Sequence, residues 1–85
     1  MLDARRKRLW FRCHHCGMAE NDVIFGRFAE RHLEALSDDQ LDRLERLLEE
    51  NDVDLFKWVT GKAGVPAAFD HDVMALLRAS AEERD

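Results

Sequence analysis

Residues 13 to 16 read Cys-His-His-Cys, with Gly17 directly after them. Thiols and imidazoles at this density could hold a zinc ion, exchange a disulfide or attach a haem, and each chemistry makes its own geometric demand. A structural zinc site needs four ligands in a tetrahedron, usually two pairs brought together from separate elements. In a helix, Cys13 and Cys16 share one face at i, i+3, while His14 and His15 point roughly 100° and 200° away. Four such side chains do not close on one ion. A second pair would have to come from His32 and His71, since the chain has no other histidine or cysteine. Haem attachment wants Cys-x-x-Cys-His, and Gly17 stands where that histidine belongs. A thioredoxin-like pair sits at a helix N-terminus, where the dipole lowers the thiol pKa; this pair falls at a predicted C-terminus, where the dipole acts the other way. The expectation is no metal and no redox pair, with Cys13 a small core residue and the histidines at the surface or edge. A metal or thiol sensor using Cys13, His14, His15 and Cys16 is the alternative from another functional class.

The elements that position this stretch are helical. Asp3 is placed to cap a first helix running from about Ala4 to about Cys16, and Gly17 to stop it. Phe25, Phe28, Ala29, His32, Leu33 and Leu36 follow the spacing of one amphipathic helix face. Ser37-Asp38-Asp39-Gln40 forms a capping box ahead of a third helix with Leu41, Leu44, Leu47 and Leu48 on one face. Leu55, Phe56 and Val59 mark a short fourth helix, capped by Asn51 or Asp52 and ended by Gly61. Val73, Leu76 and Leu77 mark a fifth after the only proline, Pro66, with Asp70 as its expected cap. No strand pattern of period two competes. The predicted fold is an all-α compact five-helix bundle.

At 85 residues the chain is expected to form a single domain spanning residues 1–85. A domain near this size hides about 60–65% of its unfolded surface, so its core is small. Charged residues make up 36% of the chain and the net charge is -5, which argues against a sequence-independent nucleic-acid binder. No apolar run approaches the roughly 20 residues of a membrane span, so no membrane insertion is expected. The arginine-rich start lacks an apolar h-region. It runs into the first predicted helix and contains Asp3, so it is read neither as a secretory signal nor as a mitochondrial presequence. Two cysteines three apart make no disulfide framework, and a cytoplasmic protein is expected. Charge is segregated: Arg5, Arg6, Lys7, Arg8 and Arg12 crowd the first twelve residues, and eight acidic residues lie between Ser37 and Asp54. The two blocks read either as solvated helix faces or as a bipolar docking surface.

Cys16-Gly17-Met18-Ala19-Glu20, followed by Asp22, resembles the Arg-Gly-x-x-Glu signature of the succinate dehydrogenase FAD assembly factors, also known as flavinators or CptB-type antitoxins. The resemblance extends over nearly the whole chain: "RLWFR", "GRFAERHLEALSDDQL", "RLLEENDVDLFKWVTG" and "DHDVMALLR" all fit. It is most specific at Leu47, Leu48, Glu49, Asp52, Asp54, Leu55, Phe56 and Trp58. It implies an assembly chaperone rather than an enzyme. Such a protein binds the flavoprotein subunit of succinate dehydrogenase or fumarate reductase and promotes covalent attachment of that subunit's FAD, holding no cofactor stably itself. An antitoxin neutralising a small membrane-associated toxin is the alternative within the family. Carried over residue by residue, the resemblance makes Gly17, Glu20 and Asp22 partner-binding candidates. It places Cys16 in the arginine slot of the signature, with Arg12 and His15 as neighbours able to compensate. At Asp52, Asp54, Phe56 and Trp58, capping and core packing compete with partner contact.

Overall fold

The computed structural model describes residues 2–83; Met1, Arg84 and Asp85 of the expected domain lie outside the described residues. These residues form five α-helices and no strand: α1 (Ala4–His14), α2 (Ala19–His32), α3 (Asp38–Leu48), α4 (Asp52–Val59) and α5 (Asp72–Glu82). Short 3-10 turns at Leu33–Ala35 and Ala67–Phe69 follow α2 and precede α5.

Local chemistry sets most of the helix starts. The Asp3 carboxylate accepts from Arg6 N at 2.8 Å. Ser37 Oγ accepts from Gln40 N at 3.2 Å while the Gln40 side chain accepts from Ser37 N at 2.9 Å, closing the capping box. Asn51, rather than Asp52, caps α4 by accepting from Val53 N at 2.8 Å and Asp54 N at 3.3 Å. The expected Asp70 cap of α5 is corrected to His71. His71 has the extended backbone of an N-cap, and its Nδ1 accepts from Met74 N at 3.2 Å; Asp70 instead closes the preceding 3-10 turn.

The amphipathic faces meet around Phe25, Phe28, Leu33, Leu41, Leu44, Leu47, Val73 and Leu77, all fully buried. Burying a side chain of this kind contributes about 1.5–3 kcal/mol. Helix α2 is the hub, packing on α1, α4 and α5. The crossing with α1 is close because Gly26 has no side chain: a β-carbon there would lie 3.0 Å from the His14 ring. Trp58 stacks on Phe69 with ring centroids 5.4 Å apart, which fastens the long α4–α5 connection to the bundle.

The two charge blocks are neither simply solvated nor wholly free for a partner. Arg5 reaches across from α1 to α3, pairing with Asp42 at 2.5 Å and also with Glu45. Arg6 donates to the carbonyls of Leu33 and Leu36 and pairs with Asp3 at 2.6 Å. Part of the basic block is therefore consumed inside the molecule.

Candidate functional site

The α1–α2 turn, residues 15–18, and the first turn of α2 carry the signature-like residues: Cys16 and Gly17 in the one, Glu20 and Asp22 in the other. Helix α1 ends at His14, two residues before the expected Cys16. A continuing helix would send the Cys16 N–H to the Arg12 carbonyl. Instead Cys16 N donates to Asp22 Oδ1 at 2.5 Å, and the Cys16 thiol takes the Arg12 carbonyl at 3.1 Å, with Cys13 O at 3.3 Å. Asp22, in the first turn of α2, thus draws the chain out of α1. Gly17 has φ +88, as a turning glycine should, but it stands in the turn rather than at the helix cap. A β-carbon on Gly17 would lie 2.9 Å from Asp52 Oδ2, so α4 closes over the bare backbone from the other side.

Beneath the turn, Asn21 is fully buried and donates from Nδ2 to the Asp52 carbonyl at 2.8 Å, while its Oδ1 has no partner. This link fixes the start of α4 against the start of α2. Sequence reasoning missed Asn21, although a signal existed: it stands four residues before Phe25, on the inward stripe of α2.

Cys16 is half-buried and packs against the core, not at an exposed helix end. Its thiol is pushed up to about 12, mainly by burial and then by the Asp22 carboxylate. Burial likewise pushes Cys13, fully enclosed, up to about 12. Neither thiol therefore has the thiolate character that disulfide exchange requires. The histidines diverge. His14 turns inward, its Nδ1 2.8 Å from Trp10 O, and His15 lies on the outer face with its ring 4.2 Å from that of Phe11. Among the described residues, no three side chains of metal-ligating type are placed to share an ion.

Arg12, His15 and Cys16 come together with Leu48, Glu50 and Leu55 around a cleft of about 190 Å³ between the end of α1 and the α3–α4 joint. Arg12 Nη2 donates to Leu48 O at 3.0 Å across it. Glu20 does not line this cleft; it is exposed in the first turn of α2, and its side chain forms no hydrogen bond or ion pair with the described residues. The candidates thus form two neighbouring groups at this turn and the start of α2: the cleft trio, and Gly17 with Glu20 and Asp22. Asp54 is exposed in the first turn of α4, whereas Phe56 and Trp58 are half-buried against the core.

Residues 7–81 match the family model described as "Flavinator of succinate dehydrogenase". The chain belongs to that family. It is 35% identical over 86 residues to succinate dehydrogenase assembly factor 2, mitochondrial, of Danio rerio, covering 99% of this chain and 54% of that protein. The protein of the same name from Dictyostelium discoideum is 35% identical over 77 residues, with 91% of this chain and 55% of the relative covered. The Meyerozyma guilliermondii protein of that name is 32% identical over 87 residues, with 98% and 64% covered. The chain therefore spans about half to two thirds of the length of these relatives. Their names make them assembly factors, in keeping with the expectation of a chaperone rather than an enzyme, and give the antitoxin alternative no support. The expectation of a cytoplasmic protein is overturned: all three relatives are named mitochondrial, which points to the mitochondrion instead. No helix among the described residues is long and apolar enough to cross a membrane.

Proposed function

We propose that this chain binds the flavoprotein subunit of succinate dehydrogenase, or of fumarate reductase, and promotes covalent attachment of FAD to it. The observation that carries this reading is the α1–α2 turn. Its bare Gly17 backbone lies against Asp52, next to the Cys16 N–H that Asp22 accepts, and nearby is a Glu20 carboxylate that no cation among the described residues pairs with. A pre-ordered turn offers a partner chain close backbone approach and a free acceptor without the entropic cost of ordering a loop. Membership of the flavinator family supports the identity of the partner.

In this reading the bond-forming chemistry belongs to the flavin and the flavoprotein, and the factor holds the flavoprotein in a competent conformation. The cleft beside the turn, about 190 Å³, is small against the roughly 300–1,000 Å³ of small-molecule sites. It suits a protein side chain better than FAD, so the cofactor is assigned to the partner.

The test is co-expression with the flavoprotein subunit, with covalent flavin read as in-gel fluorescence after denaturation. The wild type should raise the signal above that of the flavoprotein alone. Glu20→Ala should lower it while moving stability by no more than about 1 kcal/mol, the scale of a contact with the helix dipole. No rise with the wild type would reject the function. A rise that Glu20→Ala leaves intact would remove Glu20 from the docking surface.

A further inference from the structure

The five basic residues near the N-terminus do not share one fate. Arg5, Arg6 and Arg12 are engaged internally, with Asp42 and Glu45, with the Leu33 and Leu36 carbonyls, and with Leu48 O. Lys7 and Arg8 are exposed, and their side chains form no ion pair or hydrogen bond with the described residues. Between them and Arg12 stands Phe11, the most exposed large apolar side chain among the described residues at 62%. These four residues line a shallow depression on the outer face of α1. The spacing explains it: residues 7, 8, 11 and 12 fall at i, i+1, i+4 and i+5, one outward stripe of a helix. His15 extends the stripe, its ring tilted against that of Phe11 with centroids 4.2 Å apart, and His15 and Arg12 also line the cleft beside the turn. The stripe is thus continuous with the proposed docking turn.

We propose that the Phe11 stripe of α1 is a second part of the docking surface, and that it takes a segment of the flavoprotein in which carboxylates flank an apolar side chain. This rests on the function proposed above and adds the chemistry of the partner. Charge complementarity argues for the acidic flanks, since the Lys7 and Arg8 side chains pair with no carboxylate among the described residues. The exposed ring argues for the apolar centre, since aromatic and arginine side chains are enriched where a partner covers a protein surface. A lipid surface fits less well. The chain as a whole is negative, at -5, and one aromatic ring offers little to insert into an anionic bilayer. A second copy fits less well too, because Arg5 already occupies Asp42 and Glu45 of the acidic helix.

The experiment titrates purified flavoprotein subunit with wild type, Phe11→Ala and the Lys7→Glu/Arg8→Glu double variant, at low and moderate salt. Thermal melts are recorded beside each titration. All three proteins should melt nearly alike, because the altered side chains are exposed and the one ring contact among them, Phe11 with His15, lies at the surface. Phe11→Ala should bind roughly tenfold more weakly at either salt concentration. The double variant should bind at least tenfold more weakly at low salt and should lose most of the salt dependence seen with the wild type. Wild-type binding that both variants match would overturn the stripe while leaving the turn as the docking site. Absence of wild-type binding would reject the function proposed above and this inference with it. Two parallel measurements cover the other occupants. Wild-type binding to phosphatidylglycerol vesicles that the double variant loses, with flavoprotein affinity unchanged, would make the stripe a membrane contact. A wild-type dimer in sedimentation that Phe11→Ala dissociates would make it a self-association surface.

Discussion

The carboxylate of Asp52 lies against Gly17, its Oδ2 2.9 Å from where a β-carbon on that glycine would stand. The two residues are 35 positions apart in sequence. Their contact makes the α1–α2 turn part of α4's surface as well, and it gives the glycine a second constraint besides its positive φ.

Gly17→Ala should therefore be costly in two separable ways. The left-handed backbone alone costs about 1 kcal/mol or more. The clash with Asp52 adds to that, and it should vanish once position 52 is shortened. Urea unfolding of Gly17→Ala, Asp52→Ala and the double variant measures the coupling. The glycine substitution should cost less in the Asp52→Ala background. Equal costs in both backgrounds would mean that Asp52 moves aside freely and that backbone conformation alone demands the glycine.

Cys16→Arg should fold and should bind the flavoprotein more tightly. The side chain at this position opens on a cleft that includes Glu50, and the Asp22 and Asp52 carboxylates act on it. A guanidinium there would meet opposite charge, and its bidentate geometry suits a partner carboxylate. The cost is the small thiol's place against the core and its two weak hydrogen bonds to Arg12 O and Cys13 O. If about 1.4 kcal/mol of a charge-assisted contact survives desolvation, affinity rises about tenfold. Titration against the flavoprotein beside a thermal melt decides it. Weaker binding by a well-folded variant would show that this surface has adapted to the cysteine.

Stability should fall as the medium is acidified from neutral towards pH 5, in part through His71. Its pKa is lowered from the usual 6.5, first by burial and then by Arg43, against the opposing pull of Asp72 and Asp70. The neutral ring accepts the Met74 N–H; a protonated ring cannot. A depressed folded pKa means that this contribution is complete above about 6.5 and is lost as pH falls through the folded value. His71→Asn keeps a good cap and removes the titration. Its melting temperature should decline less than that of the wild type between pH 7.5 and 5. Parallel declines would place the acid sensitivity elsewhere.

Purified protein should carry no stoichiometric zinc. Cys13 is enclosed in the core, His14 turns inward to Trp10 O, and His15 lies outward against the ring of Phe11. Metal analysis after purification without chelators checks this. One zinc per chain, lost when both cysteines are changed to serine, would contradict it.

The sequence by itself determined the helices and most of their starts. Asp3, Ser37 with Gln40, and Asn51 act within three residues of themselves, and an interaction that short needs no tertiary partner. The 3.6-residue period likewise marked Phe25, Phe28, Leu41, Leu44, Leu47, Val73 and Leu77 as core, because a helix has one face to bury. The signature-like Gly17, Glu20 and Asp22 were legible as a turn and the helix start beyond it. What only the tertiary structure decided lies at longer reach. Helix α1 stops at His14 because Asp22, from the next helix, takes the Cys16 N–H that would have continued it. Arg5 is spent on α3, 37 and 40 positions away, while the side chains of Lys7 and Arg8, identical to it in charge, pair with nothing among the described residues. Asn21 is buried because α4 brings the Asp52 carbonyl to it. A side chain's local context fixes its helix position, but its partners depend on which faces pack together, and packing is a property of the assembled bundle.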